Sequence, residues 1–159
     1  MFLLGVGCGL VLVVLALVLM MPRMGRMFFT ADKSLVPFDE AVQRIREQCE
    51  HHKPWHITQE KNYSTAYADR DKEQLPFKLV EFKLGNPNHS YLVNKQYPAV
   101  STLMPAAIAV VEYENGDVVI YRKNTGLMAN MFTRDIKRIM KDEVPKELDA
   151  ILEGVIKSK

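Results

Sequence analysis

The chain opens with an unbroken apolar run. Residues Phe2 to Met21 are apolar throughout, counting glycine, and the first charged side chain is Arg23. Twenty residues of α-helix rise about 30 Å, the thickness of the hydrocarbon core of a bilayer. A cleaved signal peptide would instead have a positive n-region, a shorter apolar stretch and a small-residue cleavage site. A buried core helix would have a polar face. We therefore predict a retained transmembrane helix over residues 1–22.

A very short tether follows this predicted anchor. Pro22 should end or kink the helix, and Gly25 provides a flexible joint within residues 23–26. Together with Pro22 these are five residues, which span at most about 18 Å when extended, so a domain formed by residues 27–159 would stay at the membrane surface.

Basic residues decide the predicted orientation. Arg23, Arg26 and Lys33 follow the span, whereas only the α-amino group precedes it. The positive-inside rule then places the domain in the cytoplasm, on a single-pass protein of the cell inner membrane.

Downstream of the tether, the apolar positions follow strand and helix periodicities in turn. One helix is predicted after Pro37, a second helical stretch from Gly126, and a last helix with Pro145 in its first turn. The predicted strands are Met27–Val36, Trp55–Thr58, Phe77–Leu84, Ala106–Tyr113 and Val118–Arg122. This order predicts an α+β domain, a small and mostly antiparallel sheet with packed helices, preceded by the transmembrane helix.

The Asn115-Gly116 pair is the strongest local signal. It lies between two strand-like segments, which is typical of a two-residue hairpin with a type I′ turn. We predict that it joins Ala106–Glu114 to Asp117–Arg122.

Charge and cysteine content exclude several classes of function. The 21 basic and 19 acidic residues form no block of like charge, so nothing indicates nucleic-acid binding. The two cysteines, Cys8 in the predicted anchor and Cys49 in the domain, cannot form a disulfide framework.

Three segments together resemble a bacterial family known as domain of unknown function 302. The segments are Leu84–Pro87, Leu103–Val110 and Asn124–Phe132. The anchor ending in Met-Met-Pro-Arg-Met is similar to a membrane-anchored subgroup of that family. The resemblance implies a compact α+β domain and no particular reaction. Many members have a Cys before the Asn-Pro pair and another after the Met-Pro pair, where this chain has Gly85 and Ala106.

Small residues in the anchor suggest a partner. Gly5 and Gly9 are four residues apart, a spacing that lets two membrane helices approach closely. The alternative is that glycine is simply common in membrane spans. The interaction reading predicts a membrane-protein partner, or self-association through the anchor.

The methionines offer an alternative function. Met24 and Met27 lie at the predicted membrane exit, and Met128 and Met131 follow the hairpin. Thioether sulfur is a soft ligand that suits copper(I) or a haem iron. Methionine also fills irregular cores and adaptable contact surfaces, and we favour that packing role.

The remaining candidate binding residues are histidines that lie close to a cysteine in sequence or in a predicted loop. Cys49 is followed by His51 and His52, but no second ligand pair at zinc-site spacing follows, so a buried thiol and solvated histidines are favoured. Asn86 and His89 lie in a predicted loop at a strand end, where a binding group or a solvated turn is expected.

The sequence thus predicts a membrane-anchored, non-catalytic binding or accessory subunit that acts at the membrane surface, within a membrane protein complex. No nucleophile elbow, phosphate loop or paired-carboxylate motif is present, so no catalytic residue, metal site or cofactor is assigned. The alternative is a methionine-based protein that handles copper or haem at the membrane.

Overall fold

A computed structural model describes residues 25–67 and 72–157 as an α+β domain built on one five-stranded antiparallel sheet. The order across the sheet is β1-β5-β4-β3-β2. The strands are β1 Phe29–Lys33, β2 His56–Asn62, β3 Phe77–Gly85, β4 Ala106–Tyr113 and β5 Val118–Lys123. The predicted mixed class and antiparallel sheet are confirmed.

Helices connect and cover the strands. They are α1 Phe38–His51, α2 Tyr63–Ala66, α3 Pro87–Gln96, α4 Thr125–Met128, α5 Arg134–Arg138 and α6 Val144–Ile151, with 3₁₀ turns at Pro98–Leu103 and Ala129–Met131 and a π-helical turn at Ile139–Glu143. The helical stretch predicted from Gly126 is therefore a series of short pieces. The last helix has Pro145 in its first turn, as predicted.

The core lies between one face of the sheet and the helices. In β3, Val80, Phe82 and Leu84 are buried, while the residues between them are partly exposed. This alternation is the period-two pattern of a strand with one face against a core. From α1, Phe38, Ala41, Ile45 and Cys49 are buried at the predicted three- and four-residue spacing.

The β4–β5 hairpin forms where predicted, but its turn differs. Gly116 has φ +82°, whereas Asn115 is not among the described residues with positive φ. Gly116 N–H donates to the Tyr113 carbonyl, and Tyr113 N–H donates to the Asp117 carbonyl. This is a three-residue loop with glycine in the left-handed position, so the type I′ prediction is wrong. The Asn115 side chain instead bonds Asp117, which stabilises the longer loop.

The predicted anchor lies outside the described residues, as do Gly5, Gly9 and Met24. Within residues 25–67 and 72–157, no helix is both long and apolar enough to cross a bilayer.

Candidate ligand-binding site

A cavity of about 380 Å³ lies at one end of the sheet, lined by α3, the 3₁₀ turn Pro98–Leu103 and the π-helical turn Ile139–Glu143. Its walls are largely apolar side chains from the core. They include Leu84, Val93, Val100, Leu103, Met104, Ile139, Met140 and Val144. Known ligand pockets have this character: mostly apolar walls with a few convergent polar groups.

The polar groups converge on a single carboxylate oxygen. Glu147 Oε2 lies 2.6 Å from Trp55 Nε1, 2.7 Å from His89 Nε2 and 3.4 Å from Asn86 Nδ2. Trp55 and Asn86 are buried, and the His89 side chain is 13% exposed. The Trp55 and His89 rings meet edge to face, with centroids 5.9 Å apart. The cluster is therefore held from several sides.

Local sequence explains how this cluster is positioned. Asn86 caps α3, because its Oδ1 accepts from the backbone N–H groups of Asn88 and His89. Pro87 then occupies the first helical turn, where its missing N–H costs nothing. The Asn86-Pro87 pair thus fixes His89 at the start of the helix, facing the cavity.

Glu147 comes from the other side, in the first turn of α6. An acidic side chain is favoured there by the helix dipole. His89 Nδ1 also lies 3.5 Å from Glu143 Oε2, and Glu143 forms an ion pair with Arg138. The imidazole therefore has a carboxylate near each of its nitrogens.

The same three side chains have the composition of a cation site. One atom each from His89, Glu143 and Glu147 lies within 4.8 Å of the others. Imidazole and carboxylate ligands suit zinc and other divalent transition metals. However, Glu147 Oε2 already accepts from three donors and Glu143 is paired with Arg138, so both carboxylates already have protein partners.

A partly buried lysine, Lys123, contacts the part of the cavity wall that immediately precedes β4. Lys123 Nζ donates to the carbonyls of Leu103 and Pro105, at 2.8 and 3.2 Å. Burial lowers the pKa of Lys123 below its ordinary value. This lysine holds the Leu103–Pro105 segment in place at the cavity.

Gly85 forms a tight part of the wall. A Cβ at this position would lie 2.9 Å from Thr58 Cγ2 and 3.0 Å from the His56 ring. A larger side chain would therefore require the Thr58 and His56 side chains to move. Many family members have a Cys at this position, and Gly85 offers no thiol in its place.

The predicted contact residues have different environments. Asn86 and His89 lie together at the cavity, as caps and first-turn residues of a helix rather than in a loop. Met128 packs against the core, while Met27 and Met131 are 56% and 62% exposed. The copper or haem hypothesis stays a prediction, since its other residue, Met24, lies outside the described part of the chain.

Sequence reasoning missed Trp55 and Glu147. The available signals were the single tryptophan of the chain, which needs a partner for its N–H when buried, and an acidic residue in the first turn of a helix. Neither signal indicates that the two residues contact each other, because 92 positions separate them in the sequence.

The structure is an α+β domain with an internal, largely apolar cavity. A family model described as "Domain of unknown function DUF302" matches residues 30–155, and the chain belongs to that family. The crystal structure of an uncharacterized conserved protein DUF302 from Bacillus stearothermophilus is similar, with a TM-score of 0.68 and 16% identity over 80% of this chain and 98% of that one. No curated protein matches the sequence.

Proposed function

We propose that this chain is a membrane-anchored, non-catalytic binding protein of the membrane-anchored DUF302 subgroup. Its apolar N-terminal residues hold the domain at the bilayer surface, and its cavity binds a small, largely apolar molecule. Trp55, His89 and Glu147 recognise the polar group of that molecule.

The observation that carries this proposal is the apolar cavity with one polar end. Its volume of about 380 Å³ is within the range of small-molecule pockets, roughly 300–1,000 Å³. The Glu147 side chain is 38% exposed and lies beside the cavity, while its Oε2 accepts from Trp55. A fixed polar group beside an apolar wall can orient an amphipathic ligand.

The serine hydroxyl at the cavity supports binding rather than nucleophilic catalysis. Ser90 lines the cavity, but its Oγ donates to the Pro87 carbonyl at 3.2 Å. A serine nucleophile would instead be hydrogen bonded to a base such as His89. His89 directs its Nε2 to Glu147.

A neutral apolar fluorophore, N-phenyl-1-naphthylamine, tests the proposal on the full chain in mild detergent. The dye should bind saturably, and Met104→Trp should abolish that binding by filling the cavity. Met128→Trp is a matched control, because Met128 is also partly buried but does not line the cavity. The dye is excited outside the tryptophan absorption band, so that the introduced tryptophan does not alter the dye fluorescence that is compared between the two variants. Absence of saturable binding, or an equal loss in both folded variants, contradicts the proposal.

The anchor adds an accessory role to this proposal. The spacing of Gly5 and Gly9 supports close packing with another membrane helix, either a protein partner or a second copy of the chain. The domain would then present its ligand beside that partner, at the inner membrane and on the cytoplasmic side favoured by Arg23 and Arg26.

A further inference from the structure

The cavity lies at the end of the sheet where the chain enters the domain from its apolar N-terminal residues. The strand register shows this directly, since the first residues of β1, β2 and β4 lie beside the last residues of β3 and β5. The pairs at this end are Phe29 with Lys123, Leu84 with Ala106, and His56 with Gly85. We call it the cavity end of the sheet.

Hydrogen bonds hold the arriving segment beside the cavity. Asn124 N–H donates to the Phe28 carbonyl at 2.7 Å, and Asn124 Nδ2 donates to the Met27 carbonyl at 3.1 Å. The next residue, Thr125, lines the cavity. The position of the chain at residues 27–28 is therefore tied to the cavity wall.

The segment that enters the domain at the cavity end carries exposed apolar side chains. Met27, Phe28 and Phe29 are 56%, 37% and 59% exposed, immediately after the basic residue Arg26. Consecutive apolar side chains beside a basic residue suit the boundary between lipid tails and headgroups. At most about 18 Å of chain separates Met27 from Pro22, the end of the predicted anchor.

Two carboxylates lie behind the polar end of the cavity. Glu143 and Glu147 flank the lining residue His89 without lining the cavity themselves, and of the two only Glu143 pairs with Arg138. A ligand headgroup that donates hydrogen bonds would find an acceptor in Glu147. An anionic headgroup would face like charge.

We propose that the cavity end of the sheet faces the bilayer and takes up a membrane-borne amphiphile with a neutral or cationic, hydrogen-bond-donating headgroup. This rests on the proposed binding function and on the predicted anchor. The apolar tail lies against the cavity wall, and the headgroup bonds Glu147.

Ligand class is tested with the full chain in phosphatidylcholine vesicles. Dodecylamine, dodecanol and dodecanoate share one tail and are added to the vesicles at equal load. Trp55, the single tryptophan, reports binding through its fluorescence. The amine and the alcohol should shift its emission saturably, the amine at lower concentration because its charge is opposite to that of Glu147, and dodecanoate should bind at least about tenfold more weakly, because like charges are disfavoured. Glu147→Gln should remove the preference for the amine over the alcohol, while Glu153→Gln, an exposed control, should keep it.

Orientation is tested with two labelled variants, each in a Cys8→Ala background. A fluorophore on Ser101→Cys reports the cavity end, and one on Glu114→Cys reports the hairpin at the far end; both residues are exposed. Lipid carrying a spin label on its headgroup should quench the Ser101 label several-fold more. Equal quenching, or stronger quenching at Glu114, overturns the inferred orientation.

The outcomes separate the two proposals. If N-phenyl-1-naphthylamine binds but none of the dodecyl amphiphiles shifts Trp55, this inference is wrong and the binding function stands. If dodecanoate binds as tightly as dodecylamine, the headgroup assignment is wrong. If neither the dye nor any amphiphile binds, the proposed function itself fails.

Discussion

Trp55 Nε1 donates to Glu147 Oε2 across 2.6 Å, joining the start of β2 to the first turn of α6. The indole is buried, with 4% of its surface exposed. This bond holds the cavity-lining Trp55 and connects two segments far apart in sequence. The first prediction concerns this bond.

Glu147→Ala should lower the free energy of unfolding by about 1–2 kcal/mol, because it removes a charge-assisted acceptor and leaves a buried indole N–H without its partner. Chemical denaturation followed by Trp55 fluorescence measures the change. Glu147→Gln retains an acceptor and should cost less, and Glu153→Ala should have little effect. Equal stability in the Glu147→Ala variant and the natural chain would show that the bond does not form in solution.

Gly116 should resist substitution because of its backbone conformation. Its φ of +82° costs a residue with a Cβ about 1–2 kcal/mol, so Gly116→Val should lower the melting temperature measurably. Gly126→Ala is the control, because the added Cβ would meet no atom closer than 3.7 Å and φ there is not positive. The turn assignment is wrong if both variants melt alike.

The anchor prediction rests on sequence alone. Gly5→Ile with Gly9→Ile should leave insertion and domain folding intact but abolish co-purification with a membrane partner or with a second copy, since it adds bulk where helices would approach. Gly7→Ile is the control, because residue 7 would lie on another face of the predicted helix.

The copper or haem alternative predicts instead that the double change Met24→Leu and Met27→Leu causes loss of a bound cofactor, which metal analysis and visible absorbance would detect.

Burial raises the pKa of the Cys49 thiol above its ordinary value of 9.0. At pH 8 a thiol reagent should therefore react with Cys49 far more slowly in the folded chain than in urea, measured in a Cys8→Ala background. An introduced Ser101→Cys should react at once. Because the folded state keeps this proton longer, the stability that Cys49 contributes is present below about pH 9 and falls as pH rises above it. Fast reaction of Cys49 in the folded chain would refute its burial.

The His89 cluster should not hold a resident metal. Stoichiometric Zn²⁺ should leave the melting temperature of the domain unchanged, since protein donors already occupy Glu147 Oε2 and Arg138 pairs with Glu143. Calorimetric titration of Zn²⁺ provides a second measurement. Tight one-to-one binding that disappears in His89→Gln would identify the cluster as a metal site instead.

Much of the fold was predictable because it depends on local patterns. Alternation in β3, helical spacing in α1, and Pro145 at the start of α6 each depend on residues only a few positions apart. The hairpin was located by its Asn-Gly pair. The turn type was not, because a bond from Asn115 to Asp117 favours a three-residue loop over the two-residue one.

Only half of the polar residues of the site could be predicted from the sequence. Asn86 and His89 could be selected from sequence, because an Asn-Pro pair at a strand end is a local signal for a cap and a helix start. Their partners could not, since Trp55 and Glu147 meet them only after β2 and α6 pack against the same end of the sheet. The apolar run at the N-terminus is a property of composition and is determined by sequence alone. The cavity, and its position beside the arriving chain, are decided by strand register, which exists only in the tertiary structure.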